Sequence, residues 1–321
     1  MLRSFLIYLS QAAWAQKLVT SWSFAWRAAS RFVAGERVED AIRAIRGLNA
    51  KGINATLDHL GEHTSTAEEA ANATDKIIVI LDEIDKAQVR ANVSIKLTQI
   101  GMSLDERICR ENLIRILERA QQHNNFVRID IEDTPYTDIT ILIYEAMLER
   151  GFTTRTMGMA VQSYLYRAES DTRALLEKGT RIRLVKGAYK EPPDKAYPKK
   201  ADTDANYDLL AKIMIDCSLK IENNRLSPDG RIPPIPAIAT HDEDRIDFAK
   251  QYSEKVGLPK EAIEFQMLYG IRRDLQEVLV KEAYPVRVYV PFGTHWYPYF
   301  MRRLAERPAN IWFFISNFFR K

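Results

Sequence analysis

Cysteine is nearly absent from this chain. Only Cys109 and Cys217 occur, each inside a helical pattern. That excludes a disulfide framework and a cysteine metal site, and makes a reducing cytosol the expected compartment. Neither sign of charge dominates: Lys and Arg total 46 against 43 Asp and Glu, a net charge of +3. A nucleic-acid partner held by bulk charge is therefore not expected. No apolar run reaches the ~20 residues that span a bilayer. Histidine is sparse as well, with five in all. His59 and His63 do not form an HExxH motif and no His-x-His ends a strand, so no catalytic metal is expected. There is no GxGxxG and no GxxxxGK[ST] motif, which removes a Rossmann fingerprint and a P-loop. Any nucleotide must sit on the loops of another fold.

What is present is a cadence. Short apolar, β-branched runs cover Ile53 to Leu57, Val93 to Leu97, Phe126 to Ile131, Thr156 to Val161, Arg181 to Val185, Ala237 to Thr240, Ile263 to Leu268 and Val286 to Val290. They end in polar residues: Asp58-His59 with Glu62, Lys96, Asp130, Gln162, Lys186, Thr240-His241, Gln266 and Tyr289. Helical stretches follow, at Thr64 to Val89, Leu104 to Gln122, Asp138 to Arg150, Ser170 to Lys178, Ala205 to Ile221, and after Asp242 and His295. The first of these opens on Thr66-Ala-Glu-Glu, a capping-box pattern. Alternating strands and helices imply parallel βαβ units, and eight of them close most naturally into a (β/α)8 barrel. The 321 residues suit one barrel of roughly 250 residues plus extra helices. The expected division is a helical arm over 1–50, a barrel over 51–310 and an aromatic tail over 311–321.

In the arm, Leu2, Phe5, Leu6 and Leu9 follow helical spacing, and Trp14, Leu18, Trp22 and Trp26 continue an aromatic stripe. The apolar run is too short for a secretory leader. Packing on the barrel or on another subunit is one reading, contact with a membrane surface the other. Lys190 to Lys200 is rich in proline and charge and falls where a loop over the barrel mouth belongs.

In such a barrel the strand C-terminal ends form one mouth, so distant polar residues converge. Lys96 and Asp130 end neighbouring strands and are placed to pair there. A bend at Gly187 would bring both Arg183 and Lys186 to the mouth despite the strand alternation. Arg302 and Arg303 follow the last strand, and a planar guanidinium suits bidentate carboxylate binding. Arg-Arg on a helix is also commonly just solvated. A desolvated barrel lysine, Lys186 or Lys96, leaves a Schiff-base aldolase open as an alternative. A non-catalytic scaffold with aromatic ends is a third reading.

At Arg183-Leu-Val-Lys-Gly-Ala-Tyr189 the chain resembles the proline dehydrogenases. The likeness continues through Ser94-Ile-Lys96-Leu, Arg128-Ile-Asp130-Ile-Glu, Gln162-Ser-Tyr-Leu-Tyr-Arg, Ala239-Thr-His241, Phe265-Gln-Met-Leu-Tyr-Gly270, Val288-Tyr289-Val-Pro291-Phe-Gly293 and Arg302-Arg303-Leu-Ala-Glu306. It spans roughly residues 35–310 in family order, and the combination is more specific than any single motif. The monofunctional bacterial form fits best, because there is no room for a fused aldehyde dehydrogenase domain.

The resemblance implies a distorted α/β (β/α)8 TIM-type barrel that holds FAD non-covalently. It implies oxidation of L-proline to Δ1-pyrroline-5-carboxylate, with electrons passed to a membrane quinone. The sequence leaves open peripheral contact of the arm or tail with the inner face of the cell membrane, and assembly into a homo-oligomer. By motif position, Arg302, Arg303 and Lys96 resemble the groups on the proline carboxylate. Asp130 resembles the residue that orients the lysine, Tyr289 and Leu268 those that line the ring, and Glu62 an acid that pairs with Arg302 as a gate. Arg183 resembles the residue beside flavin N5 and Gln162 a flavin-ring hydrogen bonder. Val185, Lys186, Gly187, Ala188, Thr240, His241 and Glu306 resemble further FAD contacts.

Overall fold

The computed structural model describes residues 8–10, 12–20, 23–61, 64–222 and 224–306. Eight parallel strands close on themselves in sequence order: β1 Asn54–His59, β2 Ala91–Ile95, β3 Val127–Ile129, β4 Met157–Gln162, β5 Ile182–Val185, β6 Pro236–Ala239, β7 Glu264–Leu268 and β8 Val286–Phe292. β1 pairs with β8, Ala55 opposite Val288 and Leu57 opposite Val290, which seals the ring. The expected (β/α)8 TIM-type barrel is the fold.

The helices are α1 Ala13–Thr20, α2 Ser23–Ala29, α3 Val38–Asn49, α4 Ala67–Lys86, α5 Glu106–Gln122, α6 Thr134–Glu149, α7 Ala168–Glu177, α8 Lys200–Ser218, α9 Glu243–Lys255, α10 Arg273–Lys281 and α11 Trp296–Glu306. α4 starts as its sequence predicts. The Thr66 hydroxyl accepts from the Glu69 amide at 3.1 Å, and the Glu69 carboxylate accepts from Ser65 N at 2.6 Å, satisfying donors at the helix start. α6 begins four residues before the expected Asp138, at Thr134, with Pro135 in the first turn, where its missing N–H costs nothing. α8 begins at Lys200 instead of Ala205. Charged residues 200–204 look like loop by composition, but Asp202 suits a helix N-terminus and Lys200 pairs with Asp204 one turn on.

Side chains alternate across each strand. One set, including Val93, Val127, Ile129, Leu184, Phe265, Val286 and Val288, is buried against the surrounding helices in one continuous apolar core. The other set points down the barrel axis and is largely polar.

The barrel departs from regularity at one seam. α3, within the region expected as arm, packs Ala41, Ile42 and Ile45 into the main core beside β1 and β8. That is the place a helix after β8 would take. α11 is thereby displaced into a second apolar cluster with α1, α2, Leu60 and Ile271. Trp26 meets Trp296 edge-on at 5.5 Å, and Tyr297 Oη donates to Leu9 O at 3.0 Å. The aromatic stripe divides there, since Trp14 and Leu18 remain 60% and 48% exposed. The tail over 311–321 lies outside the described residues. Among the described residues no helix is long and apolar enough to cross a membrane.

Candidate active site

The polar face of the strands builds the site from the floor of the barrel upward. At the floor, Arg287 of β8 makes two bonds to Glu264 of β7, at 2.9 and 3.0 Å. It also donates to the carbonyls of Ala55 and Gly230. Arg128 of β3 is fully buried and lies over the Phe126 ring, 4.8 Å from its centroid. Its Nη1 donates to Met159 O at 2.9 Å and to Arg181 O. Burial, then repulsion from Arg183, holds this guanidinium well below the usual arginine range. Gly158 makes the space: a Cβ there would come within 2.9 Å of Arg128 Nη1 and closer still to Arg181 O.

One layer higher sits Arg183 of β5, 5% accessible. Its Nε donates to Gln266 Oε1 at 2.7 Å, and its Nη1 donates to Asp130 Oδ1 at 2.7 Å and Ser94 Oγ at 3.0 Å. The guanidinium stands 5.3 Å from the Tyr289 ring centroid. Tyr289 Oη donates to the other Asp130 oxygen at 3.3 Å. Burial, followed by the charges of Asp58 and Asp130, raises this phenol well above the ordinary tyrosine range, so it remains a donor. Lys96 Nζ lies 3.6 Å from Asp58 Oδ2 of β1.

The pairing differs from the expected Lys96–Asp130: Asp130 bonds Arg183 and Tyr289, and Lys96 lies near Asp58. Strand order alone made Asp130 the neighbour of Lys96, but the long Arg183 side chain reaches across the barrel to it first.

A second polar group lies at the ends of β5 and β6. Lys186 bonds Asp204 and Asp242 at 2.5 Å each, Lys200 joins both acids, and Arg245 contacts Asp204 and Asp208. Burial opposes ionisation of Asp204 and Asp242, but the bonds from Lys186 and Lys200 outweigh it and hold both below the usual carboxylate range. Gly187, at φ +128°, turns the chain out of β5 as expected; a Cβ there would strike the Tyr164 ring at 2.5 Å. Arg183 thus stays in the barrel while Lys186 points to the rim. Gln162 is fixed at both ends, donating to Glu132 O at 2.8 Å and accepting from Ala188 N at 3.3 Å. Val185 ends β5 beside it, in register with Gln162. Thr240 Oγ1 accepts from Asp242 N, and His241 Nε2 accepts from Leu268 N at 3.0 Å. That acceptor role leaves the histidine proton on Nδ1.

The loop after β5 is strapped down. Glu191 accepts from Thr134 N at 2.8 Å and from its hydroxyl. Tyr197 N donates to Tyr164 O, and the Tyr166 and Tyr197 rings meet edge-on at 4.7 Å. On α11, Arg303 is 9% accessible with its guanidinium 5.0 Å from the Tyr299 ring centroid, and Arg302 is half-buried. Glu306 is the last residue of α11. Glu62, the expected gate, lies outside the described residues.

Sequence reasoning named Gln266 as the polar end of its strand but did not name Arg128, Glu264 and Arg287 as parts of this polar column. Strand alternation carries the signal: each lies two residues before a residue placed at the mouth, namely Asp130, Gln266 and Tyr289. Asp204, which holds Lys186, comes from a helix and had no such signal.

The proline dehydrogenase family profile matches residues 41–314. Proline dehydrogenase 1 of Bacillus subtilis (strain 168) is 38% identical over 324 residues, covering 100% of both chains. Proline dehydrogenase of Deinococcus radiodurans is 40% identical over 295 residues, 91% of this chain and 90% of that one. Among solved structures, proline utilization A from Bdellovibrio bacteriovorus inactivated by N-propargylglycine superposes with a TM-score of 0.78 at 26% identity, covering 88% of this chain and 33% of that one. Profile, full-length identity and barrel topology agree: the chain belongs to the proline dehydrogenase family and is an oxidoreductase of proline catabolism.

Proposed function

We propose that this chain oxidises L-proline to Δ1-pyrroline-5-carboxylate at the barrel mouth, with FAD bound there non-covalently and a membrane quinone as the final electron acceptor. The observation that carries the reading is Arg183 locked between Asp130, Ser94 and Gln266 beneath Tyr289, with Lys96 beside Asp58 on the neighbouring strands. Such a fixed, water-poor cation suits a reaction that places negative charge on a neighbouring group. FAD, when bound, supplies the hydride acceptor at its N5 atom.

The residues present fit such a group. Gln162 offers an amide already oriented by Glu132 and Ala188, and Gly187 opens the backbone of Val185 to Ala188. Lys186, Thr240, His241 and Glu306 complete the assigned contacts, with Lys186 drawing on its acidic partners for position. Arg302, Arg303 and Lys96 hold the substrate carboxylate, and Tyr289 and Leu268 line its ring. Asp130 and Asp58 balance the clustered cations, which would otherwise repel one another. Glu62 is assigned as the acid that closes the site against Arg302. Catalysis is assigned to the barrel over 51–310, with α1 and α2 of the arm packed against α11. Contact with the inner face of the membrane, and assembly into a homo-oligomer, belong to the same reading.

The test is the visible spectrum of the purified protein under anaerobic conditions. A flavin band that proline bleaches, and that a soluble quinone analogue restores, is the expected result. A colourless protein that binds no FAD on titration would sink the reading. A yellow protein indifferent to proline would remove the substrate assignment alone.

A further inference from the structure

Arg183 can donate hydrogen bonds but cannot accept them. The Glu264 carboxylate, held on both oxygens by Arg287, accepts but cannot donate. Gln266 lies between the two. Its Oε1 accepts from Arg183 Nε at 2.7 Å, and its Nε2 donates to Glu264 Oε1 at 2.7 Å. The two partners fix which way the amide faces. Few side chains meet the demand: a carboxylate in place of the amide would face Glu264 with a second negative charge, and serine or threonine is too short to reach both. Gln266 is 5% accessible, Glu264 fully buried and Arg287 1% accessible, so no water substitutes easily for a lost bond.

We propose that Gln266 is a positioning residue for the reaction. It transmits the rigidity of the Glu264–Arg287 pair on the barrel floor to Arg183, so that the cation is held in one place and on one side of its plane. Asp130 and Ser94 fix Nη1 of the guanidinium; Gln266 fixes Nε. Two points on a planar group set its orientation, and one leaves it free to swing. The proposal rests on the reading of Arg183 as the cation beside the flavin. The charged and titratable groups around Gln266 are Glu264 from β7, Arg183 from β5, Asp130 and Arg128 from β3, and Arg287 and Tyr289 from β8.

The experiment compares holoenzyme variants by anaerobic stopped-flow bleaching with proline, and by the flavin midpoint potential. Gln266→Met is expected to slow bleaching roughly tenfold to a hundredfold, the scale of misplacing a group near the reacting atoms. The potential should fall, while the proline concentration giving half-maximal rate changes little. In an Arg183→Leu background the same change should add almost nothing. Equal penalties in both backgrounds would overturn the relay and leave the role of Arg183 intact. An Arg183→Leu enzyme that bleaches at the unmodified rate would overturn both.

Gln266→Glu gives an independent test should the methionine variant fail to fold. When protonated, the introduced carboxyl accepts from Arg183 and donates to Glu264, as the amide does. When ionised, it loses the donor. Bleaching should therefore be near normal at acid pH and fall as pH rises, relative to the unmodified enzyme at each pH. A pH profile parallel to that of the unmodified enzyme would overturn the proposal.

Discussion

The two faces of a single strand do opposite work in this protein. On β3, Val127 and Ile129 face the helices and are buried among apolar neighbours, while Arg128, and Asp130 just past the strand, face the barrel axis. β7 repeats the pattern with Phe265 outside and Glu264 and Gln266 inside. Outside, stability comes from area removed from water, an interaction without direction that tolerates repacking. Inside, most groups are charged or polar and meet particular partners, because an unpaired buried charge is costly. The outer face therefore holds the barrel closed, and the inner face holds a cation still.

Four changes break or sharpen that division. The largest effect is expected outside. Phe265→Ala removes a ring that meets Tyr284 edge-on at 5.2 Å and should cost about 3–5 kcal/mol in denaturant unfolding. Turnover per folded molecule should hardly change; a large loss in kcat would show that the two faces are not separable.

Inside, Arg183→Leu should slow single-turnover flavin reduction by roughly 10²–10³, the scale of deleting a preorganised charge donor. Near-normal reduction contradicts its assigned place.

Arg303→Met is expected to raise KM for proline roughly tenfold to a hundredfold, the worth of a hydrogen bond to a charged group. An unchanged KM removes Arg303 from the carboxylate site.

The smallest effect concerns His59 at the end of β1. Burial, then the charges of Lys76 and His295, lower it from 6.5 to about 4. Its folded value lies below its unfolded one, so its contribution to stability is complete above pH 6.5 and is lost as pH falls toward 4. Unfolding curves across that window should show the unmodified protein losing about 1–2 kcal/mol relative to His59→Phe, with screening at its partly exposed ring included. Parallel curves for the two proteins would contradict the buried, neutral state.

Much of this was legible beforehand. The eight strands lie within a few residues of their expected places, because β-branched runs bounded by polar ends leave little choice. The start of α4 follows from Thr66 and Glu69 alone. Helix starts at Thr134 and Lys200 were less legible, since proline and charge mark both loops and first helical turns. Lys186 was expected at the mouth, yet its clasp by Asp204 and Asp242 depends on α8 and α9 meeting. The aldolase alternative drew on two lysines that the fold commits to ion pairs with Asp58, Asp204 and Asp242.

Periodicity is local, so the sequence by itself determined the strand count and the parallel closure. Partner choice is not local. That Arg183 takes Asp130, that Lys96 meets Asp58, and that α3 fills the seam so α11 can join the arm were decided only in three dimensions. Side-chain length, barrel diameter and competition for each buried charge settle those contacts, and no spacing along the chain encodes them.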